Sequence, residues 1–203
     1  MIPVARTSHT PDTGSMGLTE QRAVILVEGD SDRCAVEALA LRRGRDLRAE
    51  GIAVVAMGGA TNIGHFLERL GPHGLGVELA GLCDAGEVGY FLRGLQRAGL
   101  GAPRASGDME ALGFFVCSED LEDELIRAVG TDGVVQAVAT QGELPSFRAL
   151  QKQPAHRGRA VEQQLHRFLG SRSGRKSRYA RLLVDVLEPG RVPAPLEGAL
   201  ARV

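Results

Sequence analysis

The sequence contains no tryptophan, two tyrosines and six phenylalanines, so a buried core must be built from Leu, Val, Ala and Ile. Cysteine is scarce as well: Cys34, Cys83 and Cys117 are far apart and form no Cys-x-x-Cys pair, which argues against a zinc ribbon or a dithiol redox motif. Each lies in an apolar context and reads as a small buried thiol, and an odd, scattered set suits a reducing cytoplasm better than secretion. No apolar run approaches the ~18 residues needed to span a bilayer, so no membrane partner is expected. The opening residues, MIPVARTSHTPDTGSMG, lack the apolar stretch of a signal peptide, and residues 1–20 are expected to form a mobile tail. The five histidines, His9, His65, His73, His156 and His166, show no metal-ligand spacing such as HExxH, so none is assigned a chemical role. Lysine is nearly absent, and any lysine-dependent chemistry has only Lys152 and Lys176 to draw on. Nor does either charge dominate: 24 basic and 25 acidic residues leave a formal net charge of -1, so the distribution of charge is more informative than its sum.

What is present is an ordinary globular composition, 43% hydrophobic over 203 residues, long enough to bury a core without disulfides or a structural metal. Residues 22–27, RAVILV, are a short β-branched run ending at Glu28-Gly29-Asp30 and read as a buried parallel strand. A helix capped by Asp30 or Ser31 is expected over about 32–43, stopped by Gly44. Further strands are expected at 52–56 (IAVVA), 78–83 (ELAGLC) and 113–117 (GFFVC), each followed by helical spacing. Strand and helix thus alternate four times, which predicts an α/β fold: a Rossmann-like parallel sheet of about four strands flanked by helices. From about 131 helical spacing dominates, giving an α/β domain over 21–130 and a C-terminal helical extension over 131–203.

In such a sheet the ligand site lies beyond the carboxyl ends of the strands. Those ends carry Glu28, Asp32, Asp84, Glu87, Asp120 and Glu122, so three separate strand ends deliver carboxylates to one edge. Converging carboxylates repel one another unless cations lie between them or some are protonated. Their hard oxygens favour Mg²⁺ or Mn²⁺, and two such ions suit phosphodiester hydrolysis. A simpler use exists for each acid taken alone, since a carboxylate after a strand also caps the next helix. Glu28 and Asp84 fit that use least, because each directly ends an apolar strand.

Three segments carry a resemblance. Val27-Glu28-Gly29-Asp30-Ser31-Asp32 resembles the opening motif of TOPRIM domains, Leu82-Cys83-Asp84-Ala85-Gly86-Glu87 is similar to their second acidic motif, and Asp120-Leu121-Glu122-Asp123-Glu124-Leu125 resembles the third acidic segment of the OLD-type branch. The likeness covers roughly residues 22–130 and, more weakly, 171–200, where Ser173-Gly174-Arg175-Lys176-Ser177-Arg178-Tyr179-Ala180 is similar to the late lysine segment of that branch. It implies a TOPRIM-like fold and a Mg²⁺-dependent nuclease centre, with Glu28 and Asp32 serving a first ion, Asp84 shared, and Glu122, with Asp120 and Ser118, supporting a second. It also implies that Lys176 stabilises the scissile phosphate, with Lys152 the alternative. One departure stands out: Gly86 occupies the position where the second motif usually repeats Asp, which puts the second ion in question.

Two further features bear on the partner. The turn at Met57-Gly58-Gly59-Ala60-Thr61-Asn62 opens a helix, and Gly58, Gly59, Thr61 and Asn62 could cradle a phosphate, although a tight strand-to-helix connection explains the glycines equally well and no Walker lysine follows. Over 152–181 the chain concentrates Lys152, Arg157, Arg159, Arg172, Arg175 and Arg178 among other cations, with Glu162 the one acid, a pattern suited to salt-sensitive phosphate contacts with nucleic acid, DNA above all. Two functions remain: a metal-dependent nuclease, or a non-catalytic nucleic-acid or repair scaffold of the same fold. OLD-type nucleases normally carry an ATPase domain ahead of the TOPRIM region, and with no Walker motif here two alternatives stand open: the chain works alone, or it works with a separately encoded ATPase.

Overall fold

The computed structural model describes residues 20–172 and 174–203, so the tail expected over 1–20 lies outside the described residues apart from Glu20. Strand β1 (Ala23–Val27) is buried at every position. It pairs in parallel with β2 (Ile52–Ala56), from Ala23↔Ile52 to Val27↔Ala56, and with β3 (Glu78–Cys83), from Ala23↔Glu78 to Leu26↔Gly81. Strand β4 (Phe114–Val116) joins the far side of β3, giving the order β2-β1-β3-β4. A central strand with a neighbour on each edge and helices over both faces has no side left for water, which is why AVILV is continuously apolar. The two-residue period shows instead in the core each residue enters: Ala23, Ile25 and Val27 join one, Val24 and Leu26 the other. Gly81 belongs to this packing, because a Cβ there would lie 2.7 Å from the Phe114 ring and 2.9 Å from the Leu26 carbonyl oxygen.

Helix α1 (Asp30–Arg42) covers the first face, while α2 (Ile63–Leu70) and α3 (Val88–Arg97) cover the second. Crossovers of a single hand require this change of face, because the chain steps from β1 to β2 in one direction and then back past β1 to β3 and β4. The reversal opens a crevice between the carboxyl ends of β1 and β3. A short helix that the sequence pattern did not indicate, α4 (Ser106–Ala111), precedes β4 and buries Met109.

The rest of the chain is helical: α5 (Leu121–Val129), α6 (Thr131–Thr140), α7 (Leu144–Lys152), α8 (Val161–Leu169), α9 (Arg175–Val186) and α10 (Ala194–Ala201). Their apolar faces, through Leu125, Val134, Phe147, Phe168, Leu183 and Leu196, enter the same core as α1 and the Ala23–Ile25–Val27 face of the sheet. Residue 130 falls between two helices, α5 and α6, the last strand having ended at Val116, and the core runs across it unbroken. Helix α9 lies along α1. The Arg42 guanidinium donates to the carbonyls of Val184 and, at 2.9 Å, Leu187 at the end of α9, where helical partners run out. Arg45 likewise holds the Leu200 and Val203 carbonyls at 2.7 and 2.9 Å. The Arg42 contacts fix the far end of α9 and so the position of its first turn, while those of Arg45 hold the end of α10.

Candidate metal centre

Glu28 follows the last residue of β1 and Asp84 the last residue of β3, the two strands between which the crevice opens. They meet there: Glu28 Oε1 accepts the Asp84 backbone N–H at 3.1 Å. Asp32, the third residue of α1, turns its Oδ2 back to the Gly29 N–H at 2.9 Å. The cap itself is Gly29 and neither Asp30 nor Ser31; Asp30 instead pairs with Arg33 at 2.8 Å on the exposed side of the helix. The loop after β4 is tied to the loop after β3 by the Ala85 N–H, which donates to the Glu119 carbonyl at 2.9 Å. Asp120 then caps α5, its Oδ1 accepting the Asp123 N–H at 2.8 Å.

Two helices distant in sequence complete the centre. From α8, His166 Nε2 lies 2.6 Å from Asp120 Oδ2. From the first turn of α9, Lys176 Nζ donates to Glu122 Oε2 at 2.9 Å. The Glu122 side chain is only 6% exposed, and its Oε1 is buried with no hydrogen-bond partner. Ligand atoms of Asp120, Glu122 and His166 all lie within 4.8 Å of one another, the only group of three or more found so close among the described residues.

The electrostatics follow from this crowding. Burial, reinforced by Glu28, Asp32, Asp120 and Glu122, pushes Asp84 from 3.8 up to about 8. Burial, then Glu122 and Glu28, lifts Asp32 from 3.8 to about 6, against the Gly29 N–H and Lys176. Glu28 is also raised, mainly by burial, with the nearby Glu87 and Asp120 adding to it against the Asp84 N–H and Lys176. Burial acts on Asp120 too, but hydrogen bonds from His166 and the Asp123 N–H outweigh it and hold Asp120 below its ordinary value. The hydrogen bond to Asp120 raises His166 despite burial. Burial works against the Lys176 ammonium, yet Glu122, Asp120 and Asp32 hold its pKa above the ordinary value, so it remains charged.

Five carboxylates facing one lysine and one histidine leave excess negative charge and an orphaned acceptor on Glu122. Carboxylate oxygens with one imidazole nitrogen are a donor set suited to a divalent cation such as Mg²⁺ or Mn²⁺. A pH-dependent stability follows. A group whose pKa is raised on folding contributes most below its unfolded value and loses that contribution as pH climbs through its folded value. Relative to an Asp84→Asn variant, which removes that titration, the cation-free wild type is expected to lose thermal stability progressively as pH climbs from the ordinary Asp84 value of 3.8 to its raised value of about 8. Added Mn²⁺ should close that gap. Melting curves of both proteins in EDTA and in Mn²⁺ test this, and a pH-independent difference would contradict it.

The remaining site residues expected from the sequence are less concentrated. Glu87 lies near enough to Glu28 to act on its charge but joins no close ligand group. Gly58 and Gly59 adopt φ of 73° and 116°; the Gly59 N–H is taken by the Glu28 carbonyl at 3.0 Å, and Asn62 Nδ2 donates to the Met57 carbonyl at 2.9 Å. These bonds, with Thr61 in the same 3-10 turn, make a tight strand-to-helix connection that buttresses Glu28. Lys152, Arg157, Arg159 and Arg172 are exposed. Arg178 is half-exposed and bound to Glu143 at 2.8 Å.

Arg175 requires a correction as a surface contact. It is 3% exposed, stacks over Phe168 at 4.1 Å, and bonds the Phe168 carbonyl, Ser171 and Glu143, anchoring the start of α9 beside Lys176. Of the two lysines, Lys176 reaches the acids. His166 was missed altogether. It sits in VEQQLHRFL with no ligand-type spacing, and only its tertiary contact singles it out. The three cysteines are free, and burial pushes the Cys83 and Cys117 thiols up, away from reactivity. No described helix is long and apolar enough to cross a membrane.

Residues 21–85 match the family model described as the Overcoming lysogenization defect protein-like TOPRIM domain. Among solved structures, two forms of the C-terminal region of the Xanthomonas campestris pv. campestris OLD protein are similar. One has 29% identity and a TM-score of 0.71, covering 90% of this chain and 92% of that one; the other has 25% identity and a TM-score of 0.67, covering 90% and 94%. The C-terminal region of the Burkholderia pseudomallei OLD protein shares the fold at 24% identity and a TM-score of 0.67, covering 90% of this chain and 96% of that one. No curated protein matches.

Proposed function

Since residues 21–85 are an OLD-like TOPRIM segment set in the fold of OLD C-terminal regions, we propose that this protein hydrolyses nucleic-acid phosphodiesters, DNA in particular, with the help of divalent cations. The observation that carries the reading is the convergence of Glu28, Asp32, Asp84, Asp120 and Glu122 on one sheet edge, with Lys176 beside them. Glu28, Asp32 and Asp84 would hold one Mg²⁺ or Mn²⁺ in the crevice, and Asp120, Glu122 and His166 a second. Such cations supply charge stabilisation to the phosphate and to the attacking and leaving oxygens. The chain's own groups do the rest. The Asp84 N–H keeps Glu28 aimed into the crevice, Asp32 is fixed by the Gly29 N–H, and the Lys176 ammonium offers a positive charge to the phosphate oxygens as negative charge builds on them.

The test is cleavage of supercoiled, linear and single-stranded DNA by the purified chain with Mg²⁺, with Mn²⁺ and with EDTA. Metal-dependent cleavage that EDTA abolishes is the expected result. Exposed Gly86, where the second motif usually has Asp, favours a second reading as a binding scaffold; DNA binding with no cleavage under any cation would select it. The separately encoded ATPase belongs to the proposal as a regulator of cleavage, to be tested by adding candidate ATPases to the same assay.

A further inference from the structure

Outside the metal centre, one cleft of about 320 Å³ lies between α7, α8 and the start of α9. Its walls include His156, Arg167, Phe168, Ser171, Arg172 and Arg175, and no carboxylate lines it. Among the described residues three buried side-chain nitrogen or oxygen atoms have no hydrogen-bond partner. One is Glu122 Oε1 in the metal centre. The other two, Arg175 Nε and His156 Nδ1, belong to residues that line this cleft.

The chemistry of those two atoms narrows the ligand. Both terminal nitrogens of Arg175 have partners, in the Phe168 carbonyl, Ser171 and Glu143, and Nε is the one guanidinium nitrogen with none. An arginine Nε–H can only donate, so its missing partner is an acceptor. Arg167 and Arg172 at the mouth are exposed, and neither pairs with an acid among the described residues. Two unpaired cations and a buried donor describe a site for an anion with several acceptor oxygens.

The cleft is also rigid. Gln164, 5% exposed, donates through Nε2 to the His156 and Arg159 carbonyls at 2.9 and 3.1 Å, and its Oε1 accepts from Gln151 at 2.6 Å. Those bonds pin the 153–160 loop, and His156 with it. Two of the cleft's arginines stand on helices that also serve the metal centre: His166 precedes Arg167 on α8, and Lys176 follows Arg175 on α9, with Arg172 in the loop between those helices. An anion held in the cleft is thus tied, through both helices, to the groups at the scissile position.

We propose that this cleft binds a non-scissile phosphate of the nucleic-acid strand, through Arg167 and Arg172 at its mouth and Arg175 Nε and His156 within. The assignment to a strand rests on the proposed function; the phosphate chemistry rests on the cleft. The experiment is fluorescence anisotropy of labelled single-stranded and duplex oligonucleotides in EDTA, where cleavage plays no part, so failure of the nuclease reading leaves the measurement intact. An Arg167→Ala/Arg172→Ala variant is compared with wild type and with a charge-matched Arg69→Ala/Arg104→Ala control.

The expected result is affinity at least about tenfold weaker in the cleft variant alone, and a salt dependence shallower by roughly one to two phosphate contacts. Wild-type affinity and slope in the cleft variant, or an equal loss in the control, would overturn the proposal, as would a wild type that binds no DNA at low salt. A companion melting experiment with inorganic phosphate and with AMP separates the sources. Strong stabilisation by either one, with DNA affinity unchanged in the cleft variant, would assign the cleft to a free phosphate or nucleotide and overturn the strand assignment.

Discussion

Replacing Glu28 with glutamine is expected to lower metal-dependent DNA cleavage by about 10³-fold, equivalent to about 4 kcal/mol of transition-state stabilisation, while leaving the protein folded. Glutamine is nearly isosteric, and its amide oxygen can still accept the Asp84 N–H that Glu28 Oε1 receives at 3.1 Å. What disappears is a negative charge at the point where the crevice opens between β1 and β3. With that charge gone, Asp84 loses the largest of the carboxylate repulsions acting on it and ionises more readily, so the cation-free variant should melt no lower than wild type at neutral pH. The melting-temperature rise produced by Mn²⁺ should shrink at the same time. Cleavage within tenfold of wild type would remove Glu28 from the reaction and, with it, the assignment of the crevice as the metal centre.

The second large effect is expected at Lys176, where activity and stability should separate. Lys176→Met removes the ammonium facing the phosphate and should cost about 10²–10³-fold in cleavage rate. It also strips Glu122 of its only side-chain hydrogen-bond donor among the described residues, leaving a side chain 6% exposed with both oxygens unpartnered. Stranding a buried acceptor costs roughly 1–3 kcal/mol, and a value near the lower end is expected because Lys176 itself is 46% exposed. Pairing Lys176→Met with Glu122→Gln should recover most of that stability in urea unfolding and none of the cleavage. Recovery of both would reduce Lys176 to a structural partner of Glu122; recovery of neither would point to a wider disturbance of α9.

Much of the architecture was legible in the chain because the signals are local. The run AVILV reads from its length and β-branched residues as a strand buried on both faces, and the strands expected at 52–56 and 78–83 match β2 and β3 to the residue. Helix α4 escaped notice because six residues, SGDMEA, carry a single buried side chain, Met109, and show no helical periodicity. The acids at the strand ends were legible for the same local reason: each closes an apolar run, and a parallel sheet brings all such ends to one edge.

Sequence by itself therefore determined the α/β class, the four strands, and the line of carboxylates from Glu28 to Glu122. Tertiary structure alone decided what those carboxylates meet. His166 lies 46 residues from Asp120, and Lys176 lies 54 residues from Glu122. No helical or strand period reaches across such separations; the contacts exist because α8 and α9 pack into the same core as α1 and the sheet. Arg175 teaches the converse. In sequence it is one more cation in a basic stretch, but folding carries it beneath Phe168 and Glu143, so burial decides that it braces the helix bearing Lys176 from within. A residue's chemical type is written in the chain, whereas its partner and its exposure to water are set by which surfaces the folded core brings together.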